Sequence, residues 1–196
     1  MDTLRASVQV SPGDNRRPRR IQARTTRHGR PMWTPHPAKT VTNDPEHAAR
    51  WAEELDRPII YKTVGGAWHP EDGQVKVIYT SPVDDPASLR DPSLTLTAHM
   101  FQEQITKQYE ARSIIVGDQV FTVAIHSDSP AGRVDWRTDY DSHSYEVLEL
   151  PDHVQGGFLA LHRELELSYG ACDIALDTEG DWVFFEFTNE KLAYWT

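Results

Sequence analysis

The sequence predicts an α+β fold, in which helices and antiparallel strand pairs occur along one chain. Residues 110–127 and 169–190 alternate apolar and polar side chains around turn-forming residues, which predicts two hairpins. Residues 45–55 and 156–168 have the apolar spacing of amphipathic helices instead. No internal repeat is visible in the sequence.

Local signals give the order of the first elements. Asp44 is a good N-cap and Pro45 suits the first helical position, so a helix should begin there. A short apolar strand over residues 59–63 follows, with residues 75–80 as its partner strand. Residues 94–105 alternate in character and predict a further strand.

The remaining elements follow in the second half of the chain. Gly117-Asp118 forms the predicted turn of the hairpin at residues 110–127. Residues 128–150 have no strong pattern and are rich in charged residues and turn formers. The second helix, over residues 156–168, is expected to bury an apolar stripe that includes Phe158 and Leu161.

Residues 1–38 predict a basic, disordered or poorly packed arm, because they are rich in Arg and Pro and lack a periodic apolar pattern. Eight Arg within residues 1–30 outweigh two Asp, although the whole chain has a net charge of −10. That overall charge argues against a general nucleic-acid binder. The arm could bind an acidic partner, or it could be a solvated tail or the remnant of a lost upstream segment.

Several other classes of protein lack support. Cys172 is the only cysteine, so an internal disulfide or a Cys-based zinc site is impossible and a reducing cytoplasm is expected. No run of 18 apolar residues and no secretory signal is present. The nine His form no metal signature, and the Walker A and G-x-S-x-G motifs are absent.

The last hairpin places two acids opposite each other. If Glu179-Gly180 is a two-residue turn, Asp173 pairs with Glu186. The same register predicts one apolar face and one face that carries the acids. The members of the apolar face would be Cys172, Ile174, Leu176, Val183, Phe185 and Phe187, and those of the acidic face Ala171, Asp173, Ala175 and Asp177 with Thr188, Glu186, Phe184 and Trp182.

Like charges directly opposite in a strand pair are destabilising, so the pair of acids needs an explanation. The two carboxylates could share a divalent cation such as Mg²⁺, which binds hard oxygen ligands. They could form a general acid/base pair, as in a glycosidase. They could also belong to a solvated sheet face that nearby Lys or Arg stabilises.

Cationic and glycine-rich segments elsewhere could contact phosphate. Lys62 lies in an apolar strand beside Gly65-Gly66, and a Gly pair lets backbone N–H groups approach an anion. Arg112 and Arg137 could bind phosphate in bidentate fashion. Each of these residues alone is also typical of an ordinary surface position.

Taken in order, the segments over residues 40–187 resemble the ATP-grasp ribosomal peptide maturases, the graspetide or microviridin-type macrocyclases. The segments that carry the resemblance are TNDP, IIYKTVGG, FQEQITKQYEARSIIVGDQVFTVAIHSDSP, VDWRTDYDS and LELSYGACDIALDTEGDWVFFEF. The resemblance implies ATP between two α+β lobes with antiparallel sheets. It also implies transfer of phosphate to a side-chain carboxylate of a precursor peptide, which a Ser/Thr hydroxyl or a Lys amine then attacks.

The resemblance implies a role for each matching residue. Lys62 would contact ATP, Gly65 and Gly66 would form the loop over its phosphates, and Glu103 and Ile105 would meet the adenine edge through backbone atoms. Arg112 and Arg137 would stabilise the transferred phosphate, and Asp173 and Glu186 would hold Mg²⁺. The small lobe would span residues 39–98 and the C-terminal lobe residues 99–196.

The chain also departs from the family pattern. Thr188 stands where the family usually has Asn, and a full pre-ATP-grasp domain is not recognised before residue 39. The sequence therefore predicts a shortened or diverged member, a cytoplasmic ligase that could form a homodimer. The alternatives are an inactive remnant that binds nucleotide or peptide, and a metal-independent hydrolase that uses the pair of acids.

Overall fold

A computed structural model of the chain describes residues 5–6, 21–22, 36–64, 68–71 and 74–188. Most of the predicted basic arm lies outside these residues. Within it, the short strands β1 (Arg5–Ala6) and β2 (Ile21–Gln22) pair antiparallel. Among the described residues, no helix is both long and apolar enough to cross a membrane.

The chain divides into two compact units, and each combines separate stretches of sequence. The small-sheet unit comprises Pro37–Thr106 and Ser127–His143, and the large-sheet unit comprises Met1–His36, Lys107–His126 and Ser144–Thr196. Two larger sheets of four and five strands, two small two-stranded sheets and few helices confirm the α+β class. The lobe boundary between residues 98 and 99 stays a prediction.

The small-sheet unit contains a four-stranded sheet, a two-stranded sheet and short helices. Its elements before residue 107 are β3 (Lys39–Thr42), α1 (Pro45–Leu55), β4 (Ile59–Lys62), β5 (Trp68–Glu71), β6 (Gln74–Val77), β7 (Ser81–Val83), 3₁₀ turns at Pro86–Arg90 and Pro92–Leu96, and β8 (His99–Glu103). Its elements after residue 126 are α2 (Pro130–Val134) and 3₁₀ turns at Trp136–Thr138 and Tyr140–Ser142.

Helix α1 begins where the sequence predicts. The Asp44 carboxylate accepts the N–H groups of Glu46 at 3.0 Å and His47 at 3.2 Å, which satisfies two donors that the first helical turn leaves without partners. The apolar side of α1 packs in a core with Ile59 of β4 and Phe101 of β8. The buried members of this core are Ala48, Ala49, Ala52, Ile59, Leu89 and Phe101.

The predicted partner of the strand at residues 59–63 is wrong. The four-stranded sheet has the order β3-β8-β4-β7, so β4 pairs with β7 and β8, whereas β6 pairs with β5. Residues 75–80 were predicted as one strand from their apolar run, but the strand there ends at Val77. Apolar alternation identifies strands without identifying which strands pair.

The large-sheet unit is built on one five-stranded sheet. Its strands are β9 (Lys107–Val116), β10 (Gln119–Ser127), β11 (His143–Leu148), β12 (Tyr169–Asp177) and β13 (Trp182–Thr188), in the spatial order β11-β10-β9-β12-β13. Helix α3 (Asp152–Glu164) begins four residues before its predicted start. The turn at Gly117-Asp118 is confirmed, with Gly117 at φ +58°.

Helix α3 covers one face of this sheet, which we call the helix face. Phe158 and Leu161 of the helix pack there against Cys172 and Ile174 of the central strand β12, and all four are less than 4% exposed. Alternate residues of β12, among them Asp173, lie on the opposite face, which we call the charged face. Asp173 and Ala175 are buried on that face too, at 5% and 0% exposed.

The β12–β13 hairpin differs from the prediction near its turn. Leu176 pairs with Trp182 rather than Val183, and Gly180 adopts φ +91°, a left-handed conformation that favours glycine. The Asp177 carboxylate accepts the N–H groups of Glu179 at 2.9 Å and Asp181 at 2.8 Å. The loop is therefore one residue longer than the predicted two-residue turn.

A β-bulge at Phe185 then restores the predicted register. Ile174 pairs with Phe184 whereas Asp173 pairs with Glu186, so β13 has one extra residue between these two pairs. Trp182 and Phe184 consequently pack on the helix face. The prediction that Val183 and Phe185 occupy that face, with Trp182 and Phe184 opposite, is wrong because it assumed regular pairing.

Candidate functional site

Three charged residues from adjacent strands form a row across the charged face. Asp173 on β12 pairs with Glu186 on β13, as the sequence predicts, and with Arg112 on its other neighbour, β9. Directly opposed residues share a face and have Cβ atoms about 4.5–5.5 Å apart. The sheet therefore brings together three of the residues that the sequence singled out.

The Arg112 guanidinium compensates one of the two acids. Its Nη1 donates to Asp173 Oδ1 at 2.7 Å, and the two side chains are 35% and 6% exposed. Glu186 is exposed at the sheet edge. One alternative from the sequence was a solvated sheet face that a nearby Arg stabilises. Arg112 does lie beside Asp173, but Asp173 is buried rather than solvated. A buried carboxylate needs such a partner, since desolvation disfavours its charge.

A second ion pair lies on the same face. Lys107 Nζ is 2.6 Å from Glu110 Oε1, and both side chains are almost buried, at 12% and 11% exposed. Glu110 pairs with Ala175, which places it two residues along β9 from Arg112. The Lys107 ammonium also lies 5.7 Å from the centre of the Phe185 ring.

Sequence reasoning missed Lys107, Glu110 and the position of Phe185. The available signal was the alternation of β9, which puts Glu110 on the same face as Arg112. The pairing of β9 with β12 has no such signal, because a long connection rather than a tight turn joins these strands. Phe185 reaches this face only through the bulge.

The thiol of Cys172 is an unsuitable nucleophile although it adjoins the row in sequence. It lies on the helix face and is fully buried. Burial, and then the negative charge of Asp173, raise its pKa well above the usual value, and Arg112 offsets this only in part. The chemistry of the row therefore belongs to its carboxylates and cations.

The donor set of the row fits a hard divalent cation. Asp173 and Glu186 offer carboxylate oxygens on one face, which is the ligand type that Mg²⁺ prefers, with water and phosphate oxygens supplying the rest. Over residues 36–64, 68–71 and 74–188, no group of three or more His, Cys, Asp and Glu is arranged to hold a metal. The row would thus bind Mg²⁺ together with a phosphorylated ligand rather than enclose it.

Lys62 and Glu103 lie at opposite ends of the β4–β8 pair in the small-sheet unit. Lys62 pairs with Met100 and Ile59 pairs with Glu103, which separates the two residues by roughly 10 Å along the strands. Lys62 is half-buried at the end of β4. Gly65 and Gly66 lie outside the described residues.

Several backbone and side-chain contacts hold Glu103 in place. Its carboxylate accepts Arg57 Nη1 at 2.5 Å and the Ala38 N–H at 3.2 Å, and its own N–H donates to Ala38 O at 2.8 Å. The backbone N–H of Glu103 therefore already has a protein acceptor, and the predicted contact of its backbone atoms with adenine stays a prediction. Ile105 lies in residues 104–106, which connect β8 to β9 without regular structure.

Arg137 lies in a 3₁₀ turn that Asp135 organises. The Asp135 carboxylate accepts the N–H of Arg137 at 3.2 Å, its Nη1 at 3.3 Å and the Thr80 N–H at 3.2 Å. Burial alone would raise the pKa of Asp135, but the charge of Arg137 and these hydrogen bonds lower it. The Arg137 guanidinium lies 5.1 Å from the centre of the Trp136 ring, and its side chain is 40% exposed.

No family model and no curated protein matches the chain. Solved structures do match it. The RiPP-associated ATP-grasp ligase of Chryseobacterium gregarium, in complex with ADP and a leader and core peptide, is 31% identical with a TM-score of 0.71. The match covers 80% of this chain and 47% of that ligase.

Two further structures agree with this result. The macrocyclase MdnC of Microcystis aeruginosa MRC, bound with precursor peptide MdnA, is 31% identical with a TM-score of 0.65, over 79% of this chain and 48% of that one. The ATP-grasp ligase PsnB, complexed with a phosphomimetic variant of its minimal precursor, Mg and ADP, is 23% identical with a TM-score of 0.61, over 82% and 47%. The chain spans about half the length of the solved proteins it matches.

Proposed function

The chain has the ATP-grasp fold and is a relative of the RiPP-associated ATP-grasp ligases, and we propose from this that it is an ATP-dependent ligase acting on a ribosomal precursor peptide. The row Arg112–Asp173–Glu186 is the observation that carries the proposal. It supplies a guanidinium that can bind phosphate and two carboxylates that can hold Mg²⁺, which are groups that enzymes of phosphoryl transfer use.

The proposed reaction has two steps. The γ-phosphoryl group of ATP passes to a side-chain carboxylate of the peptide, which forms an acyl phosphate and releases ADP. A hydroxyl or amine of the same peptide then attacks the carbonyl carbon, loses its proton and releases inorganic phosphate, which leaves an ester or an amide. Bound Mg²⁺ would neutralise phosphate charge during the first step.

The residues of this chain would act by binding and alignment. Asp173 and Glu186 would hold the cation, and Arg112 and Arg137 would bind the oxygens of the transferred phosphate. Lys62 would contact the phosphates of ATP, and the backbone near Glu103 and Ile105 would meet the adenine. Gly65 and Gly66, which lie outside the described residues, would belong to the loop over the phosphates. Arg112 is suited to this role because its side chain is one third exposed while it contacts Asp173.

Titration calorimetry with a non-hydrolysable ATP analogue and Mg²⁺ tests nucleotide binding. We expect heat of binding and a loss of roughly tenfold in affinity for Lys62→Ala, since one charge-assisted contact to phosphate is lost. Lys76→Ala removes an exposed lysine of the same unit and serves as the matched control, with unchanged affinity. No binding by the unmodified protein would refute the nucleotide site.

A second candidate function is nucleotide or peptide binding without catalysis. The Arg112–Asp173 ion pair favours it, because Arg112 already supplies a positive charge that compensates Asp173. Release of ADP from ATP in the presence of a candidate precursor peptide with repeated Thr/Asp/Glu core motifs separates the two candidates. Peptide-dependent turnover supports the ligase, and tight nucleotide binding without turnover supports the binding protein. A hydrolase that uses the pair of acids would instead remain active in EDTA.

A further inference from the structure

The segment Ser127–His143 belongs to the small-sheet unit and carries Arg137, while strands β10 and β11 enter and leave it. Its first and last residues contact each other. Ser127 Oγ lies 3.2 Å from His143 Nδ1. This hydrogen bond joins the two ends of the segment at its base, where the chain leaves β10 and enters β11.

The other ring nitrogen of His143 reaches into the segment. His143 Nε2 contacts the carbonyl oxygen of Trp136. A carbonyl oxygen only accepts hydrogen bonds, so Nε2 must carry the proton. In the neutral ring Nδ1 is then an acceptor, and the Ser127 hydroxyl donates to it. The two partners together fix one tautomer of His143.

The peptide group between Trp136 and Arg137 is held at both ends. Its carbonyl oxygen accepts from His143 Nε2, and its N–H donates to Asp135 Oδ1 at 3.2 Å. Because a peptide group is planar, these two contacts set its orientation and with it the direction in which the chain enters Arg137. Asp135 is itself held by the Thr80 N–H at 3.2 Å.

Ring packing supports the same arrangement. The His143 ring centre lies 6.5 Å from that of Trp136 and 6.2 Å from that of Tyr140, and Trp136 and Tyr140 meet edge to face at 5.4 Å. Gly132 leaves room for the imidazole, since a Cβ there would lie 3.0 Å from His143 Cε1. The Trp136 ring also packs against Arg137, whose guanidinium carbon lies 5.1 Å from the centre of that ring.

We infer that His143 is a positioning residue, which orients the Arg137 guanidinium toward the γ-phosphate of bound ATP through the Trp136–Arg137 peptide. This inference rests on the proposed function, because Arg137 needs a phosphate to bind. His143 itself touches no substrate. Its contribution lies in restricting Arg137 before the nucleotide arrives, which lowers the entropy lost on binding.

The test compares affinity for a non-hydrolysable ATP analogue with affinity for ADP, each with Mg²⁺. The ratio of the two reports contacts to the γ-phosphate alone. Arg137→Ala should lower this ratio roughly tenfold through the loss of a charge-assisted contact. His143→Asn should lower it by several-fold, because the Asn amide nitrogen stands near the place of Nδ1 and cannot reach the Trp136 carbonyl.

His143→Gln is the matched control, since its amide nitrogen stands near the place of Nε2 and can donate to that carbonyl. We expect it to retain the ratio within about twofold, whereas a merely structural histidine would not distinguish Gln from Asn. Affinity for ADP should be equal in all variants. Nitrogen-15 NMR of the unmodified protein should show His143 with the proton on Nε2, and a proton on Nδ1 alone would overturn the inference. Should His143→Asn not fold, Ser127→Ala replaces it, with a smaller decrease expected.

The possible failures are distinguishable. If Arg137→Ala lowers the ratio but His143→Asn does not, the positioning role is wrong and the proposed role of Arg137 survives. If Arg137→Ala leaves the ratio unchanged, or the protein binds neither nucleotide, the proposed function of Arg137 is wrong and the inference about His143 is wrong with it. Equal decreases for His143→Asn and His143→Gln would also overturn the inference.

Discussion

The two faces of the five-stranded sheet are both buried along β12, but the helix face buries apolar side chains and the charged face buries an acid. Cys172 and Ile174 on the helix face are 0% exposed among apolar neighbours, and Asp173 between them is 5% exposed beside Arg112 and Glu186. Apolar burial stabilises the fold, whereas a buried carboxylate opposes it. The helix face therefore supplies the stability, and the buried acid on the charged face depends on its Arg112 partner.

The largest effect on stability is expected on the helix face. Phe158 is 2% exposed in the core of the large-sheet unit, so Phe158→Ala should lower the free energy of unfolding by about 3–5 kcal/mol through lost burial and a cavity. Urea denaturation measures this change. Phe121→Ala on β10 is the control, since that ring is 56% exposed and its loss should be nearly neutral. Equal losses for both variants would contradict the assignment of the core.

On the charged face, the two partners of the Arg112–Asp173 pair should respond unequally. Arg112→Met leaves a carboxylate that is 6% exposed without its cation and should cost about 2 kcal/mol of unfolding free energy. Asp173→Asn leaves an arginine that is 35% exposed and can hydrate, so its cost should be smaller. Urea denaturation of both variants and of the double variant checks this order. A larger loss for Asp173→Asn would contradict the burial of the acid.

A smaller effect should appear as a pH dependence on the helix face. His162 is 2% exposed with no hydrogen-bond partner for Nε2 among the described residues, and burial lowers its pKa. The folded state then takes up a proton less readily than the unfolded chain. Neutral His162 therefore does not oppose folding above the pKa of about 6.5 that it has in the unfolded chain. As the pH falls below that value, the free energy of unfolding decreases.

Urea denaturation between about pH 7.5 and pH 5.5 measures this dependence. In His162→Gln, the free energy of unfolding should decrease less steeply with falling pH than in the unmodified protein. His153→Gln changes an exposed histidine of the same helix and should leave the decline as it is. An unchanged slope in His162→Gln would show that His162 does not resist protonation in the folded state.

Much of the candidate site could be predicted from the sequence. The predicted pairing of Asp173 with Glu186 is correct, however, only because a longer loop and a β-bulge cancel each other's effect on the register. The pairing of Asp173 with Glu186 was derived from a two-residue turn and regular strands. The actual loop is one residue longer, and the bulge at Phe185 adds one residue to β13 and restores the pair. Trp182, Val183 and Phe184 lie between the loop and the bulge, and each therefore occupies the face opposite to the predicted one.

Contacts between strands that are distant in sequence could not be derived in the same way. A tight turn fixes the register of a hairpin, but nothing comparable sets β9 beside β12 or β4 beside β7 and β8. The residue type of Arg112 made it a candidate phosphate ligand, but its contact with Asp173 is visible only in the fold. Lys107 and Glu110 were missed for the same reason.

Mg²⁺-dependent affinity for a non-hydrolysable ATP analogue, measured by calorimetry for Glu186→Gln and Glu179→Gln, tests the central claim most directly. Both variants remove one negative charge from the same hairpin, but Glu179 lies in the exposed loop and Glu186 lies in the row with Asp173. We expect Glu186→Gln to lose roughly tenfold or more of the affinity that Mg²⁺ confers, through the loss of one carboxylate ligand, while Glu179→Gln keeps it. Equal Mg²⁺-dependent affinity in the two variants would contradict a metal site on the charged face.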